Sequence, residues 1–217
     1  DGRYQVDMQG SDFGLRLALT PTQMAMLQDQ NGFSRKGPKP EQASYYYSEP
    51  HLQVTGTVLR NGKPVKVTGR AWLDHEWSTA YLDPDADGWD WTGANLDDGS
   101  ALMAFQIRRK GGGKVWAYAA LRDASGKMRL FEPEEVEFTP IRTWRSPHTE
   151  AVYPVAMHIR TAEIEWRLTP LLDDQELDSS QSTGSIYWEG AVTLTRDNQP
   201  VGHGYLELTG YAKPLKL

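Results

Sequence analysis

The sequence predicts an all-β protein. Tryptophan and tyrosine, which fit the half-buried surface of a sheet, are abundant, with 8 Trp and 10 Tyr in 217 residues. Apolar and polar residues alternate along most of the chain, whereas helical periodicity is almost absent. Short stretches rich in Gly, Asn and Asp separate the alternating runs. This combination is typical of antiparallel strands joined by tight turns.

The first 80 residues carry four or five strand patterns. Alternation predicts strands over residues 14–19, 51–59 and 65–72. Asn61-Gly62 lies between the last two runs and predicts a hairpin turn. Four or five strands are few for an independent barrel. We therefore expect either that this part packs on the following domain or that earlier strands are missing from the chain.

Two segments of this first part do not show strand patterns. Residues 21–30 are the best helix candidate, because Pro21 suits the first helical position and Thr20 can cap the helix. Residues 32–43 contain Gly, Pro, Lys and Ser and predict a loop.

A run of Asp and Pro residues at 81–88, ending in glycine, predicts a linker. It divides the chain into a first domain, residues 1–80, and a second domain, residues 89–217. Eight strand patterns follow the linker, at residues 89–96, 101–108, 115–122, 128–138, 152–161, 164–168, 185–195 and 201–211. Eight regularly spaced strands favour an up-and-down barrel, although a two-sheet sandwich fits the same pattern. Such a barrel is filled by side chains or holds one small ligand.

Composition excludes several classes of function. The formal net charge is −6 and no long Lys/Arg run occurs, which argues against a nucleic-acid partner and predicts a soluble protein. The chain has no cysteine, hence neither disulfides nor thiolate metal sites. We find no apolar run of the roughly 20 residues that a transmembrane helix needs, and no signal peptide. No zinc-ligand spacing, phosphate loop or dinucleotide motif is present, so we expect no metal and no cofactor.

The stretch from Trp72 to Trp77 is the richest in chemistry. It places three ionisable residues, Asp74, His75 and Glu76, between two tryptophans. In a strand, Trp72, Asp74 and Glu76 share one face, and His75 and Trp77 share the other. Histidine is a common acid/base catalyst, and a neighbouring carboxylate can orient His75 for this role. The same pattern also fits an ordinary strand whose carboxylates face water and whose tryptophans fill a core.

Further aromatic clusters are candidate ligand-binding surfaces. Trp89 and Trp91 share a strand face and can form an aromatic wall, or simply pack in a core. Tyr46, within a run of three tyrosines, is equally ambiguous. Tyr187 and Glu189 share one face of their strand. A last cluster places three polar residues on one face: His203, Tyr205 and Glu207. For the last two clusters, a structural role is the preferred interpretation.

Five motifs occur in a fixed order along the chain: Ser-Tyr-Tyr-Tyr-Ser at 44–48, the run at 67–77 that ends in Asp-His-Glu-Trp, Gly-Trp-Asp-Trp at 88–91, Tyr-Trp-Glu-Gly at 187–190 and Glu-Leu-Thr-Gly-Tyr at 207–211. This series resembles the AttH-like and carotenoid 1,2-hydratase family. The resemblance implies two consecutive lipocalin-like antiparallel β-barrels, the first of them incomplete in this chain. It also implies that the motif ending at Trp77 closes the first domain and that Trp89 opens the second.

The resemblance also implies a function. Hydratase-like members add water to a terminal isoprenoid double bond, and His75 and Trp77 match their catalytic His and Trp. A protonated His75 or Asp74 would donate the proton, Glu76 would activate water, and a tryptophan ring would stabilise the carbocation. The Tyr-x-Asp pair of those members has no clear match, since the nearest segment reads Trp-Asp-Trp at 89–91.

The AttH-like branch is the closer match, and its members are secreted and tied to export of lipid-like molecules. We therefore expect a secreted or periplasmic protein that binds a hydrophobic isoprenoid or lipid-like ligand, and an association with a lipid-export or membrane system. An enzymatic role would be that of a cofactor-free hydratase or a related lyase or isomerase. The alternative is a carbohydrate-active or carbohydrate-binding protein, because Trp faces and paired carboxylates also suit sugars.

Overall fold

The fold was analysed in a computed structural model, which describes residues 2–79, 82–182 and 184–213. Within these ranges the regular elements are sixteen β-strands and one short 3-10 helix, Pro133–Glu135. All strand pairs are antiparallel, and they form two sheets. This confirms the predicted all-β fold. None of the described segments forms a helix with the length and apolar character needed to cross a membrane.

The first sheet contains six strands: β1 (Tyr4–Gln9), β2 (Phe13–Thr20), β3 (Met26–Leu27), β4 (Phe33–Arg35), β5 (Ala43–Arg60) and β6 (Lys63–Trp77). The long strand β5 organises this sheet, because β2, β3, β4 and β6 all pair with it. The predicted hairpin joins β5 to β6. Its turn residues Asn61 and Gly62 both have positive φ, 50° and 72°, as a type I′ turn requires.

The second sheet contains ten strands: β7 (Ala86–Leu96), β8 (Ala101–Arg109), β9 (Lys114–Arg122), β10 (Met128–Phe131), β11 (Val136–Arg145), β12 (Val152–Thr161), β13 (Ile164–Pro170), β14 (Glu176–Ser179), β15 (Ser185–Arg196) and β16 (Gln199–Thr209). Their order is β10-β9-β8-β7-β16-β15-β13-β12-β11, with β14 on β15. The sheet curls strongly, since β11 at one end of this order contacts β8 and β9 near the other.

The predicted helix over residues 21–30 is wrong. This segment is mostly irregular, and Met26–Leu27 forms strand β3, paired with Tyr47 and Ser48 of β5. A ten-residue helix is marginal on its own, so tertiary contacts decide its conformation. Here Met26 is buried, and the Gln23 side chain donates to the backbone of Gly99 in the turn between β7 and β8. The predicted loop over residues 32–43 also contains a strand, β4.

The eight strands predicted after the linker all exist, but one of them is interrupted. Residues 128–138 divide into β10, the 3-10 helix that starts at Pro133, and the first residues of β11. Proline lacks a backbone N–H and breaks the ladder at this point. Strand β14 carries no clear alternation and escaped prediction. Within the predicted linker, residue 81 lies outside the described ranges, and β7 begins at Ala86. The division into two domains there stays a prediction.

Two cores hold the second sheet in place. Its concave side is filled by a cluster that includes the fully buried Trp166 and Trp188. Its other side packs against the first sheet through a second cluster, which includes Met103 and Phe105 of β8 and Tyr46 of β5. Strand β8 is therefore buried on both faces, which explains its almost uninterrupted apolar sequence. The second cluster positions the site described next, because it lies where the two sheets meet.

Candidate functional site

A cleft opens where β6 of the first sheet faces β7, β8 and β16 of the second. It consists of two cavities, one of about 690 Å³ and one of about 210 Å³. Three residues line both cavities: Asp74 of β6, Trp91 of β7 and Glu207 of β16. The two carboxyl groups and the indole therefore lie where the cavities join.

The larger cavity has aromatic walls above a glycine floor. Trp72 and Trp91 meet edge to face, with ring centroids 6.4 Å apart and planes at 73°. They cover Gly93, where an added Cβ would lie 2.6 Å from Trp91 Cη2 and 2.8 Å from Trp72 Cε2. Only a residue without a side chain allows this packing. The rim of the cavity is polar and includes Arg70 and His203.

The smaller cavity contains a buried lysine, Lys36. Its ammonium group lies 2.9 Å from Glu76 Oε1 and donates a 2.8 Å hydrogen bond to Ser34 Oγ. It also lies over the rings of Tyr46 and Phe105, 4.8 and 4.3 Å from their centroids. Burial lowers the pKa of Lys36, and the adjacent Glu76 partly offsets this effect. The lysine is thus neutralised by a carboxylate inside the cleft.

Asp74 is held by neutral donors. Ser48 Oγ donates a 2.5 Å hydrogen bond to Asp74 Oδ1, and Gln28 Nε2 donates a 2.9 Å hydrogen bond to Ser48 Oγ. The residue as a whole is exposed, but it lines both cavities, where protein atoms surround its carboxyl group. Desolvation there raises the pKa of Asp74 to about 6, against the opposing effect of the Ser48 hydrogen bond. The nearby Trp72 Nε1 lowers the pKa of Asp74 and so favours its ionised form. The contact does not have the geometry of a hydrogen bond, and this indole N–H is buried without a partner among the described residues.

Glu207 is the second carboxyl group of the junction. Trp89 Nε1 donates a 2.7 Å hydrogen bond to Glu207 Oε1. Desolvation, followed by repulsion from Glu189, raises the pKa of Glu207 to about 7. Glu189 and Glu207 are direct partners across β15 and β16, which places the two carboxyls on the same face. Glu207 therefore keeps its proton to a higher pH than Asp74 does.

His75 and Trp77 lie on the opposite face of β6 from the cleft and line neither cavity. The His75 ring stacks on Tyr47, with centroids 5.3 Å apart, and meets Trp77 edge to face at 5.0 Å. Trp77 in turn stacks on Tyr45 at 5.6 Å. These rings form an exposed aromatic face on β5 and β6, where Trp77 is 50% and Tyr45 is 55% exposed.

The sequence analysis identifies ten candidate site residues, and six of them line the cleft: Trp72, Asp74, Glu76, Trp89, Trp91 and Tyr46. Tyr46 accepts a 3.0 Å hydrogen bond from Trp91 Nε1 and so joins the sheets. His75, Trp77, Tyr187 and Glu189 do not line the cavities, although Glu189 accepts a 3.3 Å hydrogen bond from Tyr205 at the edge of the cleft. The functional roles assigned to all ten residues stay predictions.

Sequence reasoning did not nominate Glu207 and Lys36 as site residues. The alternation of His203, Tyr205 and Glu207 places Glu207 on a common polar face, and this was a usable signal. Lys36 gave no such signal in the sequence, because it lies in a segment predicted to be a loop. Within residues 2–79, 82–182 and 184–213, no group of three or more His, Asp or Glu side chains is arranged to hold a metal ion. The cleft offers acid/base groups within aromatic walls.

Together, the two antiparallel sheets and the cleft between them define an all-β protein with a lipocalin-like fold. The sequence model of the AttH-like family matches residues 1–211, and the chain belongs to that family. No curated protein sequence matches the chain.

Solved structures extend the comparison. The chain is similar to an AttH protein from Nitrosomonas europaea, with 67% identity and a TM-score of 0.95 over 97% of this chain and 66% of that one. It shares its fold with kievitone hydratase from Nectria haematococca, at 18% identity and a TM-score of 0.77 over 97% of this chain and 65% of that one. The structure of CghA with Sch210972 shares 12% identity with this chain and has a TM-score of 0.54, over 93% of this chain and 62% of that one. The chain thus spans slightly less than two thirds of each of these proteins.

Proposed function

We propose that the cleft binds a hydrophobic isoprenoid or lipid-like molecule and adds water across one of its double bonds. One observation carries the proposal: Asp74 and Glu207 line both cavities at their junction, and their pKa values are raised to about 6 and about 7. Two carboxyl groups with separated pKa values near neutrality can serve as base and acid at the same pH. Aromatic walls suit an apolar ligand, and a few polar groups can orient it.

The chemistry divides between the two carboxyl groups. Protonated Glu207 donates its proton to one alkene carbon and leaves a tertiary carbocation on the other. The ring faces of Trp91 and Trp72 stabilise that cation. Ionised Asp74 removes a proton from a water molecule as its oxygen bonds to the cation. The product is a tertiary alcohol, and transfer of a proton from Asp74 back to Glu207 restores the starting state.

Kievitone hydratase, whose name describes a hydratase, shares its fold with this chain. At 18% identity the likeness shows the fold alone, so the proposed activity of this chain rests on its own cleft.

We further propose a secreted or periplasmic location and an association with a lipid-export or membrane system, by resemblance to the family. Cell fractionation of the source organism tests the location, and recovery in the cytoplasmic fraction would contradict it.

Hydration is tested by incubating the protein with isoprenoid alkenes in ¹⁸O-labelled water and analysing the products by mass spectrometry. We expect a labelled tertiary alcohol from the wild type and a loss of at least about 100-fold in rate for Glu207→Gln or Asp74→Asn. Glu150→Gln is the matched control, because Glu150 is exposed and lines neither cavity. Labelled product from the carboxamide variants at the wild-type rate would refute the assignment.

A carbohydrate-binding role is the second candidate, and the exposed aromatic face favours it. Tyr45 and Trp77 stack at 26° and are both about half exposed, which gives the flat apolar surface on which sugar rings pack. Titration with soluble oligosaccharides, monitored by tryptophan fluorescence, tests this role. Saturable quenching that is lost in Trp77→Ala would support it, and the absence of quenching in the wild type would exclude it for the sugars tested.

A further inference from the structure

Acidic side chains outnumber basic side chains in the lining of the cleft. Four carboxyl groups line one or both cavities: Asp74, Glu76, Asp97 and Glu207. Two basic side chains, Lys36 and Arg70, line the same cavities, and burial lowers the pKa of Lys36. The cleft therefore carries an excess of negative charge whenever its carboxyl groups ionise.

Both of these cations are already engaged. Lys36 forms an ion pair with Glu76 at 2.9 Å. Arg70 directs its Nη1 to His51 Nδ1, at 3.2 Å, where the His51 ring Nε2 lies 2.7 Å from the Ser100 carbonyl. Neither cation forms a salt bridge with Asp74 or Glu207 within the part of the chain that the structure describes. These two carboxyl groups are held instead by uncharged donors, Ser48 Oγ and Trp89 Nε1.

The surfaces around these carboxyl groups also favour a cation. The rings of Trp72, Trp91 and Tyr205 line the larger cavity, and those of Tyr46 and Trp89 line the smaller one. The face of an aromatic ring attracts positive charge, most strongly when water is partly excluded. We infer that the cleft selects apolar ligands that carry a positively charged amine, which the acidic groups and aromatic rings of the lining attract while the alkene of the ligand lies at the junction. This inference rests on the proposed function, because it assigns a ligand class to the same cleft.

The test is calorimetric titration of the full chain at pH 8 with three ligands that share one C10 skeleton: geranylamine, geraniol and geranic acid. At this pH the amine is a cation, the alcohol is neutral and the acid is an anion. We expect the amine to bind at least about tenfold more tightly than the acid, and more tightly than the alcohol. Asp74→Asn and Glu207→Gln should each reduce the preference for the amine, whereas Glu150→Gln should preserve it. If the preference for the amine came only from the net charge of the protein, all three substitutions would reduce it equally.

The outcomes separate this inference from the proposed function. Equal affinity for the three ligands, or preference for the acid, would overturn the cation preference and leave an apolar ligand site in place. If none of the three binds, both proposals fail for ligands of this size. Because the comparison of the three ligands uses the wild-type chain, the cation preference is tested even if a variant does not fold.

Discussion

Trp89 and Glu207 link two neighbouring strands in the middle of the second sheet. The Trp89 indole N–H, on β7, donates a 2.7 Å hydrogen bond to Glu207 Oε1 on the adjacent strand β16. The bond stabilises the ionised carboxylate, but desolvation and the neighbouring Glu189 outweigh it and raise the pKa of Glu207 to about 7. A single contact thus positions the carboxyl group while its surroundings keep a proton available.

The raised pKa of Glu207 should make the stability of the protein depend on pH. The folded state holds this proton up to about pH 7, whereas the ordinary value for the carboxyl is 4.5. The folded state therefore binds more protons between these values, and its stability falls as the pH rises through the interval. Glu207→Gln removes this loss. We expect urea unfolding to show the variant more stable than the wild type by about 1–3 kcal/mol at pH 8, relative to the difference at pH 4. A pH-independent difference would contradict the assignment.

Gly93 should control the shape of the larger cavity. In Gly93→Ala the new methyl group would displace the Trp91 and Trp72 rings, from which it would lie 2.6 and 2.8 Å. We expect a loss of about 1–3 kcal/mol in the free energy of unfolding, together with at least a tenfold weaker binding of geraniol. Gly69→Ala on β6 is the control, because a Cβ added at Gly69 would have no neighbouring atom within 4 Å. Equal effects of the two substitutions would show that the aromatic walls of the cavity do not depend on Gly93.

A buried ion pair should stabilise the second sheet. Arg108 pairs with Asp90, whose carboxylate also accepts hydrogen bonds from Gln106 Nε2 at 2.7 Å and Tyr211 Oη at 3.0 Å. Burial raises the pKa of Asp90 despite these partners. Arg108→Met leaves that carboxyl buried without a cation, so we expect a loss of about 3–5 kcal/mol. Thermal and urea unfolding measure this loss.

The adjacent Arg109 provides the control for that experiment. Its partner Asp85 lies 3.5 Å away, and both side chains are largely in solvent. Arg109→Met should therefore change the free energy of unfolding by no more than about 1 kcal/mol. If both arginine variants lose the same stability, the burial of the Asp90 pair is not the cause.

His75→Ala should leave ligand binding in the cleft unchanged. The imidazole lies on the face of β6 opposite to the cavities and contacts Tyr47 and Trp77 instead. We expect the affinity for geraniol to stay within about twofold of the wild type, and stability to fall by about 1 kcal/mol from the lost ring contacts. A substantial loss of affinity or of hydration rate would restore His75 as the candidate catalyst, as the family resemblance implies.

The sequence predicts the hairpin of β5 and β6 because its signals are local. The alternation along β5 and β6 and the Asn61-Gly62 turn determine that hairpin without help from the rest of the chain. Alternation also groups Trp72, Asp74 and Glu76 on one face, which is the face that lines the cleft. It does not tell which of the two faces meets the second sheet, because both carry aromatic and ionisable residues.

The parts that escaped prediction depend on distant contacts. Lys36 belongs to the site only because its segment packs beneath Tyr46 and Phe105, which lie in different sheets. The segment that contains Met26 is extended because β5 offers it backbone partners. The pKa of Glu207 depends on desolvation by surrounding elements and on Glu189 of another strand. None of these effects can be read from sequence spacing.

The most direct test of ligand binding in the cleft is a crystal structure of the full chain with geraniol bound. We expect ligand density between Trp72 and Trp91, with the alkene carbons beside the carboxyl groups of Asp74 and Glu207. Density confined to the exposed face around Tyr45, His75 and Trp77, with the cleft empty, would contradict it and assign the ligand site to the opposite side of β6.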